Sequence, residues 1–353
     1  MAAKRYLMYI SQNYSYAILR PLQQVIKNRG DSVRWFLEGD EVDPTFLAVD
    51  EERLNTIDDV IHWKPDAVFV PGNMVPNFIP GVKVQVFHGL NSGKVNRKGR
   101  EYHFEIRHCF DLYCTQGPST TNKFNELADK FGTFSVVETG WPVLDPLFKG
   151  IQNNPFIDSA DQRPVVLFCS TFSPRLTCAP IVFDEIQRLS KQGNWRWLVQ
   201  FHPKMDSKIV KQYKEAQNEN LCFVETDDVI PLLKAADVML CDTSSVLQMF
   251  LLQNKPVVTF NNSAPADHLI DIHHVEDIEK SLEQALSFPV ELMTNIKNYC
   301  EQVHPYKDGL SSQRVLQATD TLIDRGTSEL KCKPLNLLRH LKLRRKLGYW
   351  KLR

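Results

Sequence analysis

The sequence predicts an α/β protein of two Rossmann-like domains facing a cleft, followed by a basic C-terminal tail. Three observations carry that reading. Short apolar runs alternate with amphipathic helical stretches, which is the pattern of parallel sheets covered by helices on both faces. The rhythm halts at a polar stretch, "KGIQNNPFIDSADQRP", and then restarts. The length of 353 residues suits two domains of about 150–180 residues each. The expected divisions are a first domain over 1–150, a second over 163–325 and a tail over 331–353.

The elements follow in order. "RYLMYIS" reads as a strand, "SYAILRPLQQVIKNRG" as a helix closed by Gly30, and "DSVRWFLEG" as a second strand. "NTIDDVIHWKP" is a short helix ended by Pro65, and "DAVFVPG" and "KVQVFHG" are strands. "FDLYCTQG" is another strand, and "STTNKFNELADKFG" a helix with Ser119 or Thr120 as N-cap. After the linker come the strand "VVLFCST", a helix, the strand "WRWLVQFHP", the helix "SKIVKQYKEAQN" and the strand "LCFVET". The helix "VIPLLKAA", the strand "DVMLCD", the helix "SSVLQMFLLQN" and the strand "PVVTF" complete the rhythm.

Composition narrows the class. With 43% apolar and 24% charged residues the chain is an ordinary globular protein. Formal net charge is zero but uneven: the last 23 residues hold nine Lys/Arg and no acid, leaving 33 basic against 42 acidic residues elsewhere. A mildly acidic body with a strongly basic tail points to an anionic partner for the tail. Eight scattered cysteines, none in a Cys-x-x-Cys pair, read as buried thiols in a reducing compartment rather than a zinc site. The N-terminus lacks the apolar core of a signal peptide, and no run reaches the roughly 18 apolar residues of a membrane span. The expected place is therefore the cytoplasm or the cytosolic face of a membrane.

In open α/β sheets, ligands sit outside the carboxyl ends of the strands. Those positions hold His88 and Gly89, then Ser170 and Thr171, then His202, Pro203 and Lys204, and finally Asp242, Thr243, Ser244 and Ser245. An Asp-Thr-Ser-Ser junction opening a helix offers hydroxyls and backbone N–H groups to an anion such as a phosphate. Taken one at a time, a Ser here can simply cap the helix, and a lone His can be an ordinary polar residue. Two strand-end histidines, one per domain, suit proton transfer near neutrality.

The stretches "FHG", "TGWPVLD", "FCSTF", "FHPK", "CDTSSV" and "YKDGLSSQRV" occur in the order seen in the CDP-glycerol glycerophosphotransferases, and over about 85 to 315 the chain resembles that family. The resemblance implies a GT-B-like fold and transfer of glycerol phosphate from CDP-glycerol to a hydroxyl, with no cofactor and no bound metal. It implies His88 as base on the acceptor and His202 near the donor phosphates. Asp242, Ser244 and Ser245, with Ser170, Thr171, Thr243, Lys204 and Arg314, would hold the nucleotide and its phosphates, and Gly89, Asn91 and Lys94 would form the acceptor loop. The chain departs from the family pattern in "HGLNSGK", which lacks a proline and displaces Lys94 by one, in Trp141 where the family has Tyr, and in Met249 where an acid often stands.

The tail mixes Leu, Tyr and Trp with its nine cations. Leu337, Leu338 and Leu341 share one helix face, and Leu343, Leu347 and Trp350 another. Its expected role is to hold the protein on an anionic membrane surface, with Tyr349 and Trp350 at the interface and a membrane-linked glycan or lipid as acceptor. A disordered solubilising tail is the plainer reading. No base-reading module accompanies the tail, so no nucleic-acid partner is expected. The alternative function is a GT-B glycosyltransferase using a nucleotide sugar for cell-surface polysaccharide or lipopolysaccharide synthesis. Against it, the helix "SSVLQMFLLQN" carries no carboxylate for a ribose. A non-catalytic nucleotide- or glycan-binding protein is the third reading.

Overall fold

The computed structural model describes residues 3–90, 99, 101–150, 153–226, 228–244 and 246–351. The chain divides into two compact units, one of Met1–Lys149 with Gln302–Arg353 and one of Gly150–Glu301.

The first unit opens with β1 (Arg5–Ile10), α1 (Ser15–Asn28), β2 (Ser32–Leu37), α2 (Ile57–Trp63), β3 (Ala67–Val70) and β4 (Val82–Gln85). It continues with β5 (Leu112–Thr115), α3 (Pro118–Phe131), β6 (Ser135–Glu138) and α4 (Asp145–Phe148). The six strands form one parallel sheet in the order β2-β1-β3-β4-β5-β6. β3 and β5 are buried at every position, as strands covered on both faces must be. Thr56 and Asp59 cap α2 reciprocally, at 3.1 and 2.9 Å. The start of α3 differs from the sequence expectation. Pro118 takes the first helical position, where its missing N–H costs nothing, and Gly117 rather than Ser119 or Thr120 is the N-cap. Gly117 is required sterically, because a Cβ there would lie 2.5 Å from the Val303 carbonyl.

The second unit holds β7 (Val165–Ser170), α5 (Ala179–Gln192), β8 (Arg196–Phe201), α6 (Ser207–Glu215), β9 (Leu221–Phe223) and α7 (Ile230–Ala235). Then come β10 (Val238–Cys241), α8 (Val246–Leu251), β11 (Val257–Phe260), β12 (Ile270–Ile272), α9 (Ile278–Leu286) and α10 (Val290–Val303). Its parallel sheet, read from β9, runs β9-β8-β7-β10-β11-β12, the doubly wound Rossmann order with its switch point between β7 and β10. The core packs Val166, Phe168, Trp197 and Val199 against Val182, Ile186 and Tyr213 from the helices. Of the eight free cysteines, five are buried, Cys114, Cys169, Cys178, Cys241 and Cys300.

Beyond α10 the chain belongs to the first unit, through α11 (Ser311–Arg325) and α12 (Leu337–Lys346). This corrects the expected boundary at 325. The reason is a buried carboxylate 166 residues upstream: Asp145 accepts from the N–H groups of Ser311 and Ser312, both at 2.8 Å, and so caps α11. The Trp141 N–H donates to Nε2 of the wholly buried His304 at 2.9 Å. Gly140, at φ +79°, leaves room for both residues; a Cβ there would sit 2.5 Å from the Ser311 hydroxyl oxygen and 2.9 Å from His304 Nε2. Farther along α11, Asp320 accepts from the Tyr6 hydroxyl at 2.5 Å and pairs with Lys4 and Arg29.

The tail is likewise not a free segment. Lys333 pairs with Asp111, Lys346 with Glu38 and Lys351 with Asp58. Leu343 and Tyr349 are buried, the Tyr349 ring stacks on Phe78 at 4.9 Å, and Arg344 lies over both rings. Tyr349 is thus core rather than an interfacial residue. The opposite face stays open, with Leu335 and Leu338 exposed by 74% and 78% beside exposed Leu337, Leu341 and Trp350. No helix among the described residues is long and apolar enough to cross a membrane.

Two outcomes follow from the return segment. Asp145→Ala strips two buried N–H groups of their acceptor, so urea unfolding should show a loss of about 3 kcal/mol. His304 and His103 are pushed down to about 4, in both cases chiefly by burial. Both are therefore neutral when folded, while the unfolded chain takes up protons below about pH 6.5. Stability should fall as pH drops from about 6.5 towards 4, with His304 contributing on the order of 3 kcal/mol. Urea midpoints measured at pH 7, 6 and 5 check this, and His304→Gln should flatten the decline.

Candidate active site

Two strand-end histidines carry the candidate chemistry, one in each unit. In the first unit, Phe87 follows β4 with φ +60°, a left-handed conformation that costs a bulky residue on the order of 1 kcal/mol. It is held there by packing and by one hydrogen bond. Its buried ring lies 5.0 Å from His103 and 5.2 Å from Phe124, and its carbonyl accepts from the Trp141 indole N–H at 3.3 Å. The turn brings His88 out of the sheet into an exposed position. His88 Nδ1 lies 3.1 Å from the Pro71 carbonyl oxygen, at the end of β3. A carbonyl only accepts, so Nδ1 carries the hydrogen, and in the neutral ring Nε2 keeps its lone pair. The Tyr14 ring stands 5.8 Å from the imidazole, and the Gly89 carbonyl accepts from Gln116 Nε2 at 2.8 Å. Asn91 and Lys94 of the expected acceptor loop lie outside the described residues.

In the second unit, His202 follows β8 and is also exposed. Here the partner at Nδ1 is the Lys204 backbone N–H, at 3.0 Å. An N–H only donates, so in the neutral ring Nδ1 keeps the lone pair and Nε2 carries the hydrogen. Partial burial, and then the Lys204 charge, lower the His202 pKa, which favours that neutral form. Phe172 packs 4.6 Å from the His202 ring, with the exposed Lys204 ammonium 6.0 Å from the Phe172 ring. An open cavity of about 770 Å³ adjoins His202, lined also by Pro203, Met205, Lys211, Phe223 and Thr226. Neutral His88 and His202 therefore present opposite faces: a bare Nε2 in one, an Nε2–H in the other.

Asp242 and Ser170 stand where the sequence places them, at the carboxyl ends of β10 and β7, but their polar atoms face inward. The fully buried Asp242 carboxylate accepts from the Ser170 hydroxyl at 2.5 Å, the Thr171 N–H at 3.0 Å and the Cys178 N–H at 3.1 Å. Ser170 Oγ is also 2.8 Å from Thr177 Oγ1. Together they hold the 171–178 loop onto the strand ends. Burial, and then the Asp242 charge, push the Cys169 thiol up to about 12, so it stays protonated. Thr243 Oγ1 accepts from the Ser263 N–H at 3.0 Å, and Asn262 Nδ2 donates to the Asp242 carbonyl at 3.1 Å. Ser244 is partly buried just ahead of α8, which is only six residues long, and Ser245 lies outside the described residues.

Arg314 differs from the expectation more sharply. It belongs to the first unit, where its guanidinium pairs with Asp308 and lies 4.1 Å from the centre of the Tyr306 ring. Tyr306 in turn donates to Glu138 at 3.0 Å. The sequence reading missed Pro71, Tyr14, Gln116, Phe172 and Asn262. Of these only Phe172 had a local signal, its place directly after the strand end in "FCSTF".

A sequence profile of the family described as CDP-Glycerol:Poly(glycerophosphate) glycerophosphotransferase matches residues 89–265. The teichoic acid glycerol-phosphate primase of Bacillus subtilis (strain 168) is 22% identical over 207 residues, which cover 53% of this chain and 52% of the primase. The chain thus spans about half the length of that relative. Among solved structures, a putative UDP-N-acetylglucosamine 2-epimerase from Listeria monocytogenes superposes with a TM-score of 0.65 at 14% identity, over 92% of this chain and 98% of that one. The wall teichoic acid polymerase TagF gives 0.61 at 13% identity, over 91% of this chain and 89% of the other. These likenesses establish the GT-B-like fold.

The carboxylate clamp has a measurable consequence. Asp242→Asn keeps the shape but sets an amide group against donors, and should cost about 2 kcal/mol. Amide hydrogen exchange over 171–178 should accelerate at least tenfold, while α5 beyond its first turn stays protected.

Proposed function

The chain belongs to the CDP-glycerol:poly(glycerophosphate) glycerophosphotransferase family, and from that premise we propose that it transfers glycerol phosphate, or a similar polyol phosphate, from a CDP-activated donor to a hydroxyl of a membrane-linked glycan or lipid, releasing CMP. One observation carries the reading: the two strand-end histidines are held in opposite tautomers. One is a proton acceptor, the other a hydrogen-bond donor. Transfer to a hydroxyl needs one of each.

In this reading the bare Nε2 of His88 takes the proton of the acceptor hydroxyl as its oxygen attacks the β-phosphorus. The new P–O bond forms as the bond from the β-phosphorus to CMP breaks, and the proton on His88 passes to solvent. The His202 Nε2–H and the Lys204 ammonium stabilise the charge that spreads over the phosphoryl oxygens and the leaving group. Thr171, Thr243 and Ser244 are the remaining donor-side contacts. Asp242 and Ser170 act through the loop they hold, not on the phosphates. Arg314, paired with Asp308, is left out of the donor set.

The open face of α12 supports the membrane half of the proposal. Leu337, Leu338 and Leu341 of the helix and the flanking Leu335 and Trp350 are exposed while Leu343 is docked, so this segment offers fixed apolar contacts among its cations to an anionic lipid surface. That surface would be the cytosolic face of the membrane carrying the acceptor.

The test incubates the protein with CDP-glycerol, CDP-ribitol and UDP-sugars separately, with a membrane extract as acceptor, and measures nucleotide release. The proposal expects CMP from a CDP-polyol, reduced about 10²–10⁴-fold by His88→Ala, as for a general base. UDP from a UDP-sugar would move the protein to the sugar transferases. Leu337→Glu with Leu338→Glu should abolish sedimentation with anionic vesicles and leave the unfolding midpoint unchanged.

A further inference from the structure

We propose that Trp141 is a positioning residue for His88: its indole N–H holds the left-handed turn at Phe87 and thereby fixes which nitrogen of the imidazole is bare. The inference deepens the reading of His88 as a base and rests on it for its kinetic consequence only.

His88 is bracketed by two pinned carbonyls. That of Phe87 accepts from Trp141 Nε1 at 3.3 Å, and that of Gly89 accepts from Gln116 Nε2 at 2.8 Å. Both donors are buried, so neither carbonyl can exchange its partner for water at that position without moving the loop. Phe87 itself does not favour its conformation. At φ +60° an aromatic residue is away from its preferred extended geometry, and without the restraint on its carbonyl only the ring packing opposes a return to it. Rotating the peptide between Phe87 and His88 carries the imidazole away from the Pro71 carbonyl. Without that hydrogen bond, nothing selects Nδ1 as the protonated nitrogen.

Trp141 is itself anchored from behind. Its backbone N–H donates to His304 Nε2 at 2.9 Å, and the residue before it is a left-handed glycine that packs against Ser311 and His304. The indole is therefore registered to the return segment of the first unit.

The experiment uses Trp141→Phe, which keeps an aromatic ring and removes the N–H. The expected result is loss of the hydrogen-bonded Nδ1–H proton signal of His88 from the ¹H spectrum. It should come with a kcat lowered about 10- to 100-fold, an unchanged KM for the donor and an unfolding midpoint within a few degrees of wild type. In a His88→Ala background the same substitution should lower kcat no further. A retained Nδ1–H signal overturns the inference, as does a change only in midpoint. If instead His88→Ala keeps wild-type activity, the base reading fails, and the proton signal still decides whether Trp141 positions the ring. Should Trp141→Phe unfold, Gln116→Leu tests the second pinned carbonyl with the same readouts, and an unaltered His88 signal there overturns the bracket.

Discussion

A backbone carbonyl can only accept a hydrogen and a backbone N–H can only donate one, and the chemistry proposed for this protein hangs on that asymmetry. Pro71 presents the first to His88, Lys204 presents the second to His202, and two otherwise identical rings become complementary. The sheets make the placement possible. In a parallel sheet every strand ends at the same edge, so carbonyl and amide groups left over from the ladder gather where side chains also emerge. No titratable partner is needed to distinguish the two histidines. Geometry of the main chain does it.

Two buried aspartates make that geometry rigid. Asp145 caps α11 and Asp242 gathers the loop after β7, each by accepting from backbone N–H groups far away in sequence. A buried carboxylate left without donors would be strongly unfavourable; satisfied by two or three, it ties segments together with directional bonds. This is how a residue at a strand end comes to brace the loop beside it. The same reasoning links Asp145 to the site: it holds the return segment, whose His304 holds Trp141, whose indole holds the turn before His88.

Much of this is legible in the sequence, and what is not has a common cause. Strand and helix alternation reports burial on a local period, so the strands ending at His88, Ser170, His202 and Asp242 can be read directly. Local period says nothing about which distant carboxylate caps a helix, so the sequence alone puts α11 in the wrong unit. The two Leu faces of the tail are visible, but that Leu343 and Tyr349 dock against Phe78 while Leu337 and Leu338 stay open is a tertiary fact. The direction of Asp242 and Ser170 is equally hidden: position at a strand end fixes the residue, not whether its side chain turns inward. The tautomers are beyond reach, since Pro71 contributes only a main-chain oxygen and any residue there supplies one.

The most direct test of the account is a ¹⁵N spectrum of the histidine rings in the wild-type protein at pH 7.5, with His88 and His202 assigned by single substitution. The account predicts that Nδ1 is protonated and Nε2 bare in His88, with the reverse in His202. The same tautomer in both rings, or free exchange between tautomers in either, would contradict it.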